Sequence, residues 1–490
     1  MRENALGRRA AVTEAMLGRR TDQQQPREHA SPGRAWLELG VVGLGALMVS
    51  LSQSLLVPVL PILPQRLNTS SGNVEWLLTS TLLVGAVAVP VFGRLGDMFG
   101  KRLMLMVALT ALAAGSLLDA VTSNVPLLIA GRAVQGASLA AIPLGISLLS
   151  SVLPPQRVRG AIALVSAMLG VGGALGLPLA GLVGEHADFH VLFWITAVAG
   201  AASLAATPLA VREAPSRSGG RVDIPGAVLL STGLVALLLP LAQGESWGWG
   251  SLRTVGLLVL ALVLLVVFVV VERRVVAALV DISAMSRRPI MLTNLASLLF
   301  GFALFASLIG TSSFVEAPRA AGYGFGSSIV VGGLCLLPSG LLMLALAPVA
   351  ARLIGLWGAH RTLALGALIV AAGWLMRVVA TGSVWEVVIG STIIGGGTGI
   401  GYAAMPTLIN RNTPVSEIAA ANGLNSLSRS LGSSLASAVG GSILAASTVT
   451  LGGFALPSLA AYRVLFAVCG AAGVAAAVAA LFIPPGEPDR

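Results

Sequence analysis

The segment GRLGDMFGKR, residues 93–102, places four charged side chains between two long apolar stretches, residues 76–93 and 103–122. Each stretch is long enough to cross the hydrocarbon core of a bilayer as a helix, which takes about 20 apolar residues. We therefore predict that the segment is a short loop between two membrane spans. Its glycines allow a tight turn and a close approach of neighbouring helices.

The composition of the whole chain also indicates a membrane protein. Of the 490 residues, 56% are hydrophobic before glycine is counted and 10% are charged, whereas soluble domains carry about 25% charged residues. These proportions exclude a soluble enzyme, a disordered protein and a nucleic-acid-binding protein. The two cysteines, Cys335 and Cys469, lie in apolar stretches and are predicted to be buried, inert thiols.

Fourteen stretches have the length and apolarity of a span. They cover residues 39–64, 76–93, 103–122, 125–151, 160–185, 190–211, 223–243, 254–272, 289–316, 326–353, 359–379, 384–410, 417–446 and 461–484. The polar, Arg-rich residues 1–35 contain no apolar core, so we expect a disordered cytosolic tail rather than a secretory signal peptide.

The basic residues predict the orientation of the spans. With the N-terminus in the cytosol, 23 of the 30 Lys and Arg residues fall on the inner side, four on the outer side, and Arg132, Arg377 and Arg429 within spans. An excess of basic residues in the inner loops is the usual pattern of membrane proteins. Both termini are therefore predicted to be cytosolic, and the net charge of +10 needs no polyanionic partner.

The segment at 93–102 has a counterpart in the second half of the chain. Arg94 and Gly100 recur as Arg352 and Gly358, 258 residues further on, and several glycines match at an offset of 259. The first loop joins spans 2 and 3 and the second joins spans 10 and 11, so two spans are inserted between two six-span halves. This predicts an all-α membrane protein with 6+2+6 spans and a substrate site between pseudo-symmetric halves. The predicted domains are tail 1–35, bundle 36–211, linker and inserted spans 212–288, bundle 289–484 and tail 485–490.

The loop resembles the signature between spans 2 and 3 of the major facilitator superfamily, G-x-L-x-D-x-x-G-[KR]-[KR]. Residues 132–136, RAVQG, resemble its span 4 signature R-x-x-Q-G. Residues Gly172, Gly176, Pro178 and Gly181 resemble its antiporter signature, although the usual Gly-Pro pair is here Gly176-Leu177-Pro178. With fourteen spans, the chain is similar to the drug/proton antiporter branch.

The resemblance implies a secondary active transporter in the bacterial cytoplasmic membrane. Two bundles would rock about a central site, and the proton gradient, with no cofactor, would drive export of amphipathic drugs or secondary metabolites. We expect a monomer whose partners are this small molecule and membrane lipid. In the loop, an Asp can accept hydrogen bonds from a neighbouring helix N-terminus, and basic residues can pair with the other half or with anionic lipid. The resemblance implies a gating role for Gly93, Arg94, Asp97, Gly100, Lys101 and Arg102.

Proton coupling needs a titratable group inside the membrane. Members of this branch often carry Asp in span 1 where this chain has Ser52, which does not titrate usefully. The resemblance implies a role in proton coupling for Arg132. The alternative is a structural role, in which backbone carbonyls satisfy the charge of a packed arginine. The remaining candidates are Glu316 and Asp119, near the outer ends of spans 9 and 3, where an interfacial position is favoured over a role in a proton relay.

Polar side chains in apolar spans are expected to line the substrate cavity. These candidates are Ser52, Gln53, Gln135, Asn294, Asn425 and Arg429. Neighbouring serines leave a purely structural role open for Arg429, and close helix packing alone would explain the span 5 glycines.

The chain carries no HExxH, Walker A or GxSxG signature, so we expect neither an enzyme nor an ATP-driven pump. His186 and His190 have helical ligand spacing but no evident third ligand, so no metal site is expected. Several alternatives stay open: uptake, lipid or osmolyte transport, uniport without proton coupling, and a non-transporting membrane sensor.

Overall fold

The computed structural model describes residues 32–484, except 61, 216, 218–221, 276–277 and 452–453. Residues 1–31 and 485–490, which hold most of the two predicted tails, lie outside the described residues. Fourteen long helices make up most of the described chain. They are α1 (Pro32–Ser54), α2 (Ser71–Phe99), α3 (Lys101–Ala120), α4 (Val125–Val152), α5 (Pro155–His186), α6 (His190–Ala210), α7 (Ile224–Trp247), α8 (Leu252–Glu272), α9 (Arg288–Glu316), α10 (Ile329–Trp357), α11 (Ala359–Val379), α12 (Val384–Arg411), α13 (Ile418–Ala446) and α14 (Leu459–Leu481).

Shorter elements connect or interrupt these helices. Helix α4 contains a 3₁₀ turn at Ala137–Ala140, and α10 is interrupted between Leu334 and Leu337. An antiparallel hairpin of β1 (Thr448–Leu451) and β2 (Phe454–Pro457) joins α13 to α14. The remaining short helices lie at Val57–Val59, Leu63–Arg66, Ile282–Met285, Arg319–Ala321 and Val415–Glu417.

The helices begin where the sequence offers a capping side chain. Side-chain oxygens of Ser70, Asn124 and Ser251 accept a hydrogen bond from the backbone three residues later, at the starts of α2, α4 and α8. Ser383 and Glu386 form a reciprocal capping box at the start of α12. Such caps satisfy backbone donors that a helix leaves unpaired in its first turn.

Thirteen of the helices in the described part of the chain are long and apolar enough to cross a membrane. The fourteenth, α13, is just as long, with 29 residues, but carries many Ser and Asn residues and Arg429. Several of its polar side chains, among them Asn422, Asn425 and Ser434, are buried against other helices, and Arg429 lines the central cavity. The predicted count of fourteen and the 6+2+6 plan agree with this arrangement.

The helices form two bundles and an insert. Helices α1–α6 pack around two apolar clusters of the first half, and α9–α14 share one large cluster of the second half. Of the inserted pair, α8 packs on α7, and α7 packs on α2 of the first half and α13 of the second through residues such as Leu234 and Leu427. The insert therefore bridges the two halves.

The halves contact each other along two seams. Along one seam α5 lies against α10, and Gly333 is so close to Pro178 that a Cβ on it would stand 2.5 Å from the proline nitrogen. Along the other seam α2 lies against α13, and a Cβ on Gly93 would stand 2.8 Å from the Ala419 carbonyl oxygen. We call the end that carries residues 93–102 the loop face, predicted to be cytosolic. The opposite end, which carries β1 and β2, is the hairpin face.

Candidate transport cavity and gate

A cavity of about 330 Å³ lies between the two halves. Helices α1, α4 and α5 line it from the first half, and α9, α10, α12 and α13 line it from the second. Its wall is mostly apolar, with leucines and Phe305 from α5 and α9, and it carries several hydroxyl groups. The polar and charged residues of the lining are Ser50, Gln53, Ser54, Ser312, Ser313, Glu316, Tyr402, Ser426, Arg429, Ser430 and Ser433.

Two of the predicted cavity residues, Gln53 and Arg429, line this cavity. Glu316, predicted as a proton carrier, lines it as well, and Ser312 donates a hydrogen bond to its carboxylate. Arg429 lies over the ring of Tyr402, with 5.1 Å between the guanidinium carbon and the ring centre. The cavity therefore carries one basic and one acidic side chain among its described lining residues.

The other four predicted cavity residues lie elsewhere. Ser52 is buried and donates to the Val49 carbonyl, so it faces away from the cavity. Gln135 is completely buried and donates to Ser116. Asn425 accepts a hydrogen bond from Arg429 at 3.0 Å and donates to Asn294 at 3.0 Å, so both asparagines lie behind Arg429. These four predicted residues are absent from the lining of this cavity.

Arg132 is held in a polar cluster between α1, α2 and α4. Its Nε donates to the carbonyl of Leu77 at 3.2 Å, and its Nη1 donates to the carbonyl of Ser52 at 3.2 Å and to the Gln135 side chain. The side chain is 1% exposed. Backbone carbonyls satisfy part of the guanidinium, whereas its Nη2 has no partner among the described residues. The coupling role of Arg132 stays a prediction.

Asp119 lies beside this cluster. Its carboxylate packs onto Gly131 and occupies the space that a Cβ on that glycine would need. Gly131 immediately precedes Arg132 in the sequence. The side chain is fully buried inside the protein, and neither carboxylate oxygen has a hydrogen-bond partner among the described residues. A buried carboxylate without hydrogen bonds is costly unless a cation compensates it or it binds a proton.

The loop face is held together by Asp97. Its carboxylate accepts hydrogen bonds from the backbone nitrogens of Ala419, at 3.2 Å, and Ala420, at 2.9 Å, at the start of α13. Lys101 Nζ lies 3.5 Å from the same carboxylate. Since α2 and α13 belong to different halves, these contacts join the halves with a charge at a helix N-terminus, where negative charge is stabilised.

The prediction that residues 93–102 form a loop is wrong, because α2 continues to Phe99 and α3 begins at Lys101, which leaves only Gly100 between the two helices. The other residues of this segment have separate partners. Lys101 donates to Ser151 at 3.1 Å, and the backbone nitrogen of Arg102 donates to Glu213 at 3.0 Å. Gly100 has φ +127°, and the Glu213 carboxylate fills the place of its missing Cβ. Arg94 lines a second, polar cavity between α2, α13 and the end of α8.

A second bridge at the loop face was not predicted. Asn410 of α12 donates to Ser150 of α4 at 3.0 Å and accepts from Asn422 of α13 at 2.6 Å. These residues lie on the loop-face side of Arg429, so they close the cavity at that end together with Asp97. In the sequence, the only indication of this bridge is that Ser150, Asn410 and Asn422 are polar residues near the ends of apolar spans.

The span 5 glycines lie at helix contacts. Gly172 and Gly176 face Ser50 and Ser54 of α1 at distances that leave no room for a Cβ. Gly181 faces Val330 of α10, and Pro178 faces Gly333 of the same helix. The motif thus packs α5 between α1 of its own half and α10 of the other.

Arg377 is a buried charged residue of the second half for which the sequence indicated no role. Arg377 is completely buried, donates to Thr311 at 2.7 Å and lies 4.3 Å from the ring centre of Phe466. It stands 258 residues after Asp119, the same offset that relates the two Arg-Leu loops. Its Nε and Nη2 have no partner among the described residues.

The two cysteines are free and buried, as predicted. His190 pairs with Asp188 and with the carbonyl of Thr122 instead of with His186. Within the described residues, no group of three His, Cys, Asp or Glu side chains could hold a metal ion.

The profile of the Major Facilitator Superfamily matches residues 42–339 and 320–490 of this sequence. The chain belongs to the major facilitator superfamily. A superfamily member with this match is a multi-pass membrane transporter, and the protein is therefore not an enzyme. The predicted family and its fourteen-helix plan are confirmed.

The curated relatives include resistance proteins of Streptomyces species. The tetracenomycin C resistance and export protein of Streptomyces glaucescens is 28% identical over 424 residues, 84% of this chain and 76% of that protein. The puromycin resistance protein of Streptomyces alboniger is 30% identical over 347 residues, 69% of this chain and 66% of that protein. Among solved structures, the human organic anion transporter MFSD10 (TETRAN) matches with a TM-score of 0.65 at 14% identity, covering 92% of this chain and all of that one. That likeness shows the common superfamily fold.

Proposed function

We propose that the protein exports hydrophobic or amphipathic drugs or secondary metabolites across a bacterial cytoplasmic membrane by proton-coupled alternating access. The main support is a mostly apolar cavity between two halves that are hydrogen-bonded together at the loop face. With both termini cytosolic, the hydrogen-bonded loop face closes the cavity on the cytosolic side. The relatives named for resistance to and export of antibiotics support the substrate class.

Asp119 is the proposed proton carrier in place of the absent span 1 acid. It lies near the hairpin-face end of α3 and beside Arg132. Ionised Asp119 compensates the Arg132 charge, whereas protonated Asp119 leaves that charge to the carbonyl oxygens of Ser52 and Leu77. Ser52 is followed directly by Gln53, which lines the cavity. A proton on Asp119 would therefore change how α1 is held beside the substrate.

The test uses bacteria without their own efflux pumps and a panel of hydrophobic antibiotics and dyes. The protein should lower drug accumulation, and a protonophore should abolish the effect. Asp119→Asn should lose gradient-driven export by about tenfold or more but keep gradient-independent exchange of substrate in vesicles, since only coupling is removed. Asp188→Asn, which removes an exposed acid, serves as the control.

Three outcomes contradict parts of the proposal. Normal export by Asp119→Asn excludes Asp119 as the carrier, and a loss confined to Glu316→Gln assigns that role to Glu316. Unchanged accumulation of the whole panel, with protein present in the membrane, rejects multidrug export and favours uptake or one dedicated metabolite. Export that survives the protonophore rejects proton coupling.

A further inference from the structure

The cation of the central cavity is held only by neutral groups. Arg429 donates from Nη1 to the Asn425 side chain at 3.0 Å and from Nη2 to Ser426 at 3.2 Å. Within the described residues, no acidic side chain forms a salt bridge with it. Its guanidinium lies over Tyr402, whose ring face attracts a cation without neutralising it.

Glu316, the acidic residue of the same lining, lies too far from Arg429 to neutralise its charge. The backbone of Arg429 packs against Gly301 of α9, and Glu316 lies fifteen residues further along that helix. At 1.5 Å per residue this places the two backbone positions about 22 Å apart along the helix axis. Glu316 therefore lies towards the hairpin face, and the inner part of the cavity keeps an uncompensated positive charge.

The cation is fixed in position before a ligand arrives. Asn425, which accepts from Arg429, donates to Asn294 at 3.0 Å and to Ser297 at 2.6 Å, and both partners belong to α9. The side chain of Arg429 is half-buried and lines the cavity, so its remaining donors face the space that a ligand would occupy. A preorganised guanidinium fork recognises carboxylate and other oxyanions, which can accept two of its hydrogen bonds.

The rest of the wall is suited to a ring system that carries oxygen atoms. The wall combines apolar side chains of α9, such as Phe305, Leu308 and Ile309, with the hydroxyls of Ser312 and of Ser433 on α13. The cavity volume of about 330 Å³ is large enough to enclose a small organic molecule.

We propose that the substrates of this cavity are amphipathic organic anions, aromatic compounds whose carboxylate or phenolate binds Arg429 while the apolar rings lie along α9. This inference rests on the proposed export function and narrows it, because it excludes lipophilic cations as preferred substrates.

The test compares two dyes that share a xanthene ring system and carry opposite charge, fluorescein as the anion and rhodamine 123 as the cation. Binding of each to the purified full-length protein in phosphatidylcholine nanodiscs is measured by fluorescence anisotropy, with empty nanodiscs as the blank. We expect fluorescein to bind about tenfold more tightly than rhodamine 123. Arg429→Gln should remove this preference, and Arg429→Lys, which keeps the charge but not the fork, should retain part of it.

Arg463→Gln removes an exposed arginine of the same half and should leave both affinities unchanged. A wild-type protein that prefers rhodamine 123, or binds neither dye, overturns the inference. So does an Arg429→Gln protein with a normal melting temperature and an unchanged dye preference. If Arg429→Gln fails to fold, an Arg429→Lys protein that keeps the full preference for fluorescein overturns the inference as well.

Transport in inside-out vesicles separates this inference from the export proposal. Proton-driven uptake of rhodamine 123 without that of fluorescein refutes the anion preference and leaves export standing. Preferential binding of fluorescein, combined with gradient-driven movement of neither dye, supports the assignment of Arg429 and refutes export.

Discussion

Replacing Asp97 by Asn should weaken the contact between the halves at the loop face. The carboxylate accepts from two backbone nitrogens of α13, at 3.2 and 2.9 Å, whereas Asn offers one acceptor oxygen. Losing one hydrogen bond to a charged group costs about 1.5–3 kcal/mol, and losing the charge at the helix N-terminus costs about 0.5–1 kcal/mol more. The joined state is therefore destabilised by about 2–4 kcal/mol, which is about a 30- to 1,000-fold shift in its ratio to the separated state.

The shift can be followed by the reactivity of a buried thiol. Ser147 of α4 is completely buried one turn before Ser150, so Ser147→Cys in a background with Cys335→Ala and Cys469→Ala reports opening of the loop face. A membrane-impermeant maleimide applied to inside-out vesicles should label this thiol at least about 30-fold faster in the Asp97→Asn protein.

The control for this experiment is Asp188→Asn, which removes an exposed carboxylate at the hairpin face and should leave the labelling rate unchanged. Equal labelling rates with and without the Asp97→Asn substitution, in proteins with equal melting temperatures, would refute the reasoning. The backbone contact of α2 with α13, rather than the carboxylate, would then hold the halves together.

Two further substitutions test the packing around this contact. Gly93→Ala should also accelerate labelling, because its Cβ would stand 2.8 Å from the Ala419 oxygen, whereas Gly160→Ala has open space around it and should not. Glu38→Gln should lower the melting temperature, because it removes a completely buried carboxylate 2.7 Å from Arg212 Nε, at a cost of about 2 kcal/mol after allowance for the partial exposure of the arginine. A melting temperature equal to that of the unsubstituted protein would contradict this last expectation.

Hydropathy and basic-residue positions were sufficient to predict the fourteen helices, but not where each one begins. Helix α1 starts at Pro32, seven residues before the predicted 39, because the charge of Glu38 is paired with Arg212 and does not end the helix. Such a pair joins residues 174 positions apart, and no local pattern indicates it.

The cavity was predictable in kind but not in detail. Ser52 and Gln53 are adjacent, yet consecutive helical residues point about 100° apart, so only one of them faces the cavity. Sequence alone does not decide which. The serines of the lining carried little signal, because a hydroxyl in a span can satisfy itself on the carbonyl one turn earlier, as Ser430 does on Ser426.

The burial of Asp119 depends on how two helices pair. Nothing in the sequence around Asp119 specifies that it packs onto Gly131 beside Arg132, since this contact follows from the close approach of α3 and α4. Arg377, at the matching position of the second half, pairs with no acid among the described residues and stacks on aromatic rings. The internal repeat therefore preserves a buried charge position but not its sign.

The two sides of the Asp97 contact differ in how easily a substitution removes them. On one side stands a side chain that a single codon change can remove or neutralise, and on the other stand two backbone amides that every residue except proline supplies. Positions 419 and 420 are thus free to drift among small residues without releasing the contact, whereas position 97 is not. Single substitutions therefore alter the strength of this contact more readily from the α2 side than from the α13 side.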